Sequence, residues 1–228
     1  MAELQKTMMH GWIVIDKPGG LSSANVVGRV KYLTGALKAG HGGTLDPLAT
    51  GVLPIALGEA TKTTNYAMQG VKHYKFTVRW GEARNTDDSE GKVILTSSQR
   101  PACDEIRGVL PSFIGEISQI PPKFSAIKIA GKRAYKLARA NEDIKIPPRQ
   151  IKINNLKLLS SDLHTATFDI ECGKGTYIRA LARDLAVSLG TVGHISALRR
   201  TKVGAFTENM AISLDKLDSV VHSALLPE

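Results

Sequence analysis

Residues 72–81 read KHYKFTVRWG, and the period of this stretch sets the fold class. Tyr74, Phe76, Val78 and Trp80 fall on one side of an extended chain, His73, Lys75, Thr77 and Arg79 on the other. Successive side chains of a strand point to opposite faces, so the pattern is a half-buried strand with a basic outer face. Working outward, GWIVIDKPGG (11–20) is a buried strand stopped by Pro18-Gly19-Gly20. Ser22 or Ser23 then caps a helix with Val26, Val27, Val30 and Leu33 at helical spacing. An apolar segment from Gly51 turns at Gly58 into a helix reaching Met68. Beyond Trp80, EARNTDDSEGK (82–92) is a polar turn and 102–110 a helix. Pro121-Pro122 keeps its approach extended, and GKRAYKLARA (131–140) is a helix carrying Lys132, Arg133, Lys136 and Arg139. Strands at 149–159 and 164–172 precede a helix with Ile178, Leu181, Leu185 and Leu189 inside, and SLDKLDSVVHSALLPE forms a last helix stopped at Pro227. Strands and helices do not alternate regularly, so the class is α+β with a mostly antiparallel sheet.

The 228 residues carry 30 Lys+Arg against 21 Asp+Glu, a net charge of +9, with 43% hydrophobic residues. A basic excess of that size favours a polyanionic partner, nucleic acid before an anionic membrane surface. Cys103 and Cys172 are too few for a disulfide framework, and the histidines form no metal-binding spacing. The acidic cluster of 82–92 does not fit the ligand positions of a calcium loop. CGKGTY (172–177) lacks the glycine and hydroxyl residue of a triphosphate loop, and no GxGxxG follows a strand. The start MAELQKT leads into no leader-like apolar region, and no apolar run approaches the roughly 18 residues of a membrane span. A soluble, cytoplasmic chain is expected.

GHGGTLDPLATG (40–51) is too rich in glycine and proline for helix or strand. Asp before Pro commonly starts a turn, so Asp46 has an ordinary structural explanation. Other polar groups favour a functional one. Arg179 opens a helix, where the dipole disfavours a cation. Tyr177 precedes it by two residues, and Tyr74 opens a strand. An arginine beside a carboxylate would orient it and hold it charged, which suits a nucleophile or base. Nothing in the residues alone brings Asp46 and Arg179 together.

AGHGGTLDPLATGVLPIALGEATK (39–62), KHYKF (72–76), IPPKFSAIKIAGKRAYKLAR (120–139) and GTYIRALARDL (175–185) together resemble the bacterial TruB family of tRNA pseudouridine synthases. The likeness runs from Gly11 to about Phe206. It implies a bent, mainly antiparallel mixed sheet flanked by helices and loops. It also implies that the catalytic residues are Asp46, the catalytic aspartate, Arg179, the arginine paired with it, and Tyr74, the tyrosine that stacks on the target base and takes part in proton transfer. By the same resemblance Tyr177 and Leu198 line the pocket, His41 enters the RNA where the uridine leaves its stack, and Lys62 lies near the site. A catalytic domain over 1–206 and a helical segment over 207–228, the start of a missing or shortened RNA-binding portion, are then expected.

The implied reaction turns a uridine of the tRNA T loop, at position 55, into pseudouridine in a monomeric enzyme without metal or other cofactor. Asp46 could attack C1′, assist a sugar-centred elimination, or add to C6. The basic residues at 132–139 and 199–202 are expected to follow the phosphate backbone. Two rivals stand beside this: a non-catalytic tRNA-binding or chaperone protein, and a hydrolase for which no water-activating partner is visible.

Overall fold

The alternation at 72–80 holds along its whole length: Lys72, Tyr74, Phe76, Val78 and Trp80 are buried, while Lys75 and Arg79 are exposed. Lys72 is tolerated inside because its ammonium donates to the carbonyls of Met68 and Gly70, which replaces the water that a buried charge loses. The computed structural model describes residues 8–125, 127–129, 131–140, 142 and 145–225. The chain start read for a leader and the stop at Pro227 lie outside the described residues, as do the side chains of Lys136 and Arg139.

In chain order the elements are β1 (Gly11–Lys17), α1 (Ser23–Thr34), β2 (Ala39–His41), β3 (Thr50–Leu57), α2 (Thr64–Gln69), β4 (Lys72–Trp80), β5 (Glu82–Arg84) and β6 (Val93–Thr96). Next come α3 (Cys103–Val109), β7 (Gly115–Gln119), β8 (Lys128–Ile129), β9 (Lys132–Arg133), α4 (Ala134–Arg139), β10 (Arg149–Ser161) and β11 (Thr165–Cys172). The chain closes with α5 (Ile178–Ser188), β12 (Gly193–Val203), β13 (Phe206–Thr207) and α6 (Leu214–Leu225). They form two units, Met1–Tyr74 with Arg199–Glu228, and Lys75–Leu198.

In the first unit β1 runs antiparallel to β3, from Gly11 opposite Leu57 to Lys17 opposite Gly51. β2 is also antiparallel to β3. Arg199 and Arg200 of β12 lie parallel to Thr50 and Gly51, and β13 folds back on Lys202 and Val203. From Gly51 onward β3 is buried throughout, which is why its sequence is a continuous apolar run. Ser22 caps α1 by accepting the Asn25 N–H, and Gly35 ends it in the left-handed conformation. Val26, Val30 and Leu33 point into the core, while Arg29 reaches Asp218 of α6 at 3.5 Å.

In the second unit the strand order is β12-β4-β11-β10-β7, with β10 antiparallel to both β11 and β7. Phe76 and Phe168 stack at 5.1 Å between ring centroids, joining β4 to β11. Ile178, Leu181 and Leu185 of α5 are buried, as the helical spacing predicts.

The α+β class and the mainly antiparallel sheet are therefore as expected, with local differences. Gly58–Thr63 is 3-10 rather than α-helix. There the Thr61, Thr63 and Thr64 hydroxyls donate to carbonyls three residues back, competing with the α ladder. Lys132 and Arg133 form a short strand with Lys128 and Ile129, so the helix starts only at Ala134. The polar turn at 82–92 contains strand β5 and buries Asp88.

Candidate active site

Each half of the expected site is built within one unit. In the first, the chain leaves β2 at His41, whose partner in β3 is Ile55. Gly42 donates to the Pro54 carbonyl at 2.8 Å. A Cβ there would stand 2.9 Å from the Ala67 methyl carbon and 3.2 Å from the Trp12 ring, so the loop can leave β2 this closely only on a glycine. Gly43, at φ 127, turns the chain toward Asp46.

Side chains from elsewhere in the unit hold the loop beyond Gly43. Arg200 donates to the carbonyls of Gly43 at 3.0 Å and Thr44 at 3.3 Å. The Ser23 hydroxyl accepts the Leu45 N–H at 2.8 Å and donates to the Leu45 carbonyl at 2.9 Å. The Pro47 carbonyl accepts the Gly20 N–H at 2.9 Å and the Lys17 ammonium at 3.0 Å. Lys17 is fully buried, and its other donors go to Pro18 and Leu21 carbonyls. Asp46 lies between these anchored neighbours, partly exposed, its own carbonyl closing a turn with the Ala49 N–H. A carboxylate on such a loop is set in position before any ligand arrives.

His41 is half-buried, and its Nδ1 has no hydrogen-bond partner. Burial, and then the Arg200 charge, push its imidazole below the usual histidine range. Such a ring is a neutral, flat surface at physiological pH. Lys62 lies on the 3-10 turn, paired with Glu59. Tyr74 is buried on β4, 8% exposed.

In the second unit Tyr177 immediately precedes α5. Its N–H donates to the Gln119 side-chain oxygen at 2.9 Å, and its carbonyl accepts from the same amide at 3.1 Å. Arg179 comes next but one, inside the first turn of α5, where the helix dipole repels it. The repulsion is offset locally. Its guanidinium donates to the Thr86 carbonyl at 2.7 Å and the Phe124 carbonyl at 3.0 Å, and lies 3.5 Å from Asp88 Oδ2. Asp88 is itself buried and accepts from the Thr86 hydroxyl and the Glu90 N–H. Leu198 is buried on β12.

Sequence reading missed Asp88. The available signal was three acids in one short turn, Asp87, Asp88 and Glu90, which is more than a solvated turn needs. It also misplaced two basic residues. Arg199 does not project along a phosphate track: it is bound to Asp16 at 3.0 Å and to Glu208 at 2.6 Å. Arg200 is buried. Lys132 and Arg133 are exposed.

Residues 31–178 match the TruB family pseudouridylate synthase N-terminal domain, and 179–225 the tRNA pseudouridylate synthase B C-terminal domain. The chain is 58% identical over 210 residues to a protein of Gluconacetobacter diazotrophicus named tRNA pseudouridine synthase B, covering 92% of this chain and 69% of that one. A protein of the same name from Agrobacterium fabrum is 56% identical, with 93% and 68% covered. Among solved structures, a Cbf5-Nop10-Gar1 complex contains a chain 33% identical with a TM-score of 0.72, covering 92% of this chain and 54% of that one. An archaeal box H/ACA sRNP Nop10-Cbf5 complex gives 29% identity and 0.71, with 94% and 55% covered. This chain thus spans about two thirds of the length of the curated relatives and just over half of the solved ones.

The family matches place this mainly antiparallel α+β fold in one class, the pseudouridine synthases. Within that class the chain belongs to the TruB family.

Proposed function

We propose that this chain isomerises a uridine of tRNA to pseudouridine, with Asp46 as the carboxylate that engages the nucleotide. One observation carries the reading: the backbone on both sides of Asp46 is anchored by buried polar side chains of its own unit, while Asp46 stays partly exposed. The names borne by relatives at 58% and 56% identity support the substrate class.

In the reaction the N1–C1′ bond breaks, C5–C1′ forms, C5 loses its proton and N1 gains one, so nothing is added overall. A stacked base cannot be turned over in place and must first be flipped out, at a cost of a few kcal/mol. His41, flat and neutral, suits the space that the base vacates, as aromatic platforms do for single-stranded bases. Asp46 then acts at C1′, in a sugar-centred elimination, or at C6. Each route starts from a fixed carboxylate near the sugar or the ring edge. Arg179 acts with Asp46, Tyr74 stacks on the base, Tyr177 and Leu198 line the pocket, and Lys62 serves the same site. The expected target is the T-loop uridine at position 55, modified by a monomer in the cytoplasm. Residues 1–206 carry the chemistry, and 207–228 add a C-terminal helical segment.

Release of tritium from C5-labelled uridine in a T-arm stem-loop tests the assignment. The wild type should release it, whereas Asp46→Asn should slow a single turnover by on the order of 10³-fold or more with RNA affinity largely kept. An Asn variant that turns over normally would leave a non-catalytic RNA-binding protein, or a different carboxylate, as the answer.

A further inference from the structure

Arg200 is 1% exposed, and no carboxylate among the described residues pairs with it. Its charge is met by backbone carbonyls alone. Nε donates to Val52 at 2.8 Å, Nη2 to Gly43 at 3.0 Å and Nη1 to Thr44 at 3.3 Å. Burying a guanidinium costs heavily unless its donors are satisfied, and charge-assisted bonds of this kind are among the stronger ones. Two of the three acceptors belong to the Asp46 loop, and the third to the strand after it.

The backbone of the same residue holds the far end of that loop. Arg200 lies opposite Gly51 in the parallel pairing of β12 with β3. Gly51 has φ +100, and a Cβ there would stand 2.2 Å from the Arg200 carbonyl oxygen. One residue therefore ties down Gly43 and Thr44 by its side chain and Gly51 by its main chain, with Asp46 between them. The fork shape matters, because a planar guanidinium can serve three acceptors in fixed directions where an ammonium is a single point of charge.

We propose that Arg200 is a positioning residue of the reaction: by clamping the Gly43 and Thr44 carbonyls against Val52, it sets the place from which Asp46 reaches the flipped nucleotide. The inference rests on the reading of Asp46 as the catalytic carboxylate.

Single-turnover kinetics on a labelled T-arm stem-loop separates positioning from mere support of the fold. A structural defect lowers the amplitude, because fewer molecules are folded. A displaced carboxylate lowers the rate constant of molecules that are folded and bound. Arg200→Lys keeps the charge and loses the fork. Its rate constant is expected to fall by on the order of 10²-fold, the penalty for a misplacement of about 1 Å, with amplitude and RNA affinity near wild type. Arg200→Gln should be slower still. Should neither variant fold by circular dichroism, Gly43→Ala leaves Arg200 in place and strains the carbonyl it holds, and the same slowed rate at normal amplitude is expected. A full rate constant, in Arg200→Lys or, failing its folding, in Gly43→Ala, overturns the proposal while active wild type keeps the function. Inactive wild type removes the function and this inference together.

Discussion

At Asp87 burial outweighs a salt bridge. Its carboxyl is pushed up from 3.8 to about 6 by desolvation, although Arg183 stands 3.1 Å away and Arg179 also pulls it down. The folded state therefore holds the proton more tightly than the unfolded chain. Stability falls as pH rises from about 4, where the unfolded carboxyl ionises, to about 6, where the folded one does, and is then level. Asp87 also sits at φ 60, a conformation that asparagine tolerates well. Asp87→Asn should thus gain on the wild type between pH 4 and pH 7, by up to about 3 kcal/mol for a shift of about two units. Urea unfolding at the two pH values checks it; a constant difference would refute it. The burial of individual charges is not legible in the sequence. Lys17, Lys72, Asp88 and Arg200 are all charged and all buried. Three of these four rest on backbone carbonyls, close by in the chain for Lys72 and distant for Arg200.

At the scale of elements, β3 and β12 meet through Gly51. With its positive φ and the Arg200 backbone against its Cα, Gly51→Ala combines backbone strain with overpacking. It should cost on the order of 3 kcal/mol, seen as a lower thermal midpoint and a smaller active fraction. Most elements were legible because their signals are local: the period of two in β4, the Ser22 cap and Gly35 stop of α1, the apolar stripe of α5. β12 carries no such local signal. Its residues Arg199-Arg200-Thr201-Lys202 read as a basic run along the phosphate backbone, because nothing within the run shows that Asp16, Glu208 and the 43–52 carbonyls wait to receive two of its charges.

For the whole molecule the decisive quantity is the net charge of +9. Tight RNA binding by such a surface should weaken steeply with salt, each neutralised phosphate adding roughly 0.7 to 0.9 to the log–log slope. Arg199 is already paired with Asp16 and Glu208 and Arg200 is buried, so the slope is expected from exposed residues such as Lys132 and Arg133. Lys132→Ala and Arg133→Ala should each reduce it by about that amount, whereas Arg199→Ala should leave it unchanged. Binding measured across a salt series decides this, and a flat response in the wild type would remove the basic surface as the RNA track. Among the described residues no helix is long and apolar enough to cross a membrane.

The fold class, the limits of most helices and strands, the family resemblance and the candidate role of Asp46 are all written in the order of the residues. These depend on periodicity, turn chemistry and the composition of short motifs, all contained within a few consecutive residues. Which charges are buried and what holds the Asp46 loop follow from the folded contacts alone. Several of the groups concerned are distant in sequence, Arg200 lying 156 residues from Thr44, and a buried charge is stable only where folding has already gathered carbonyls or a carboxylate to meet it.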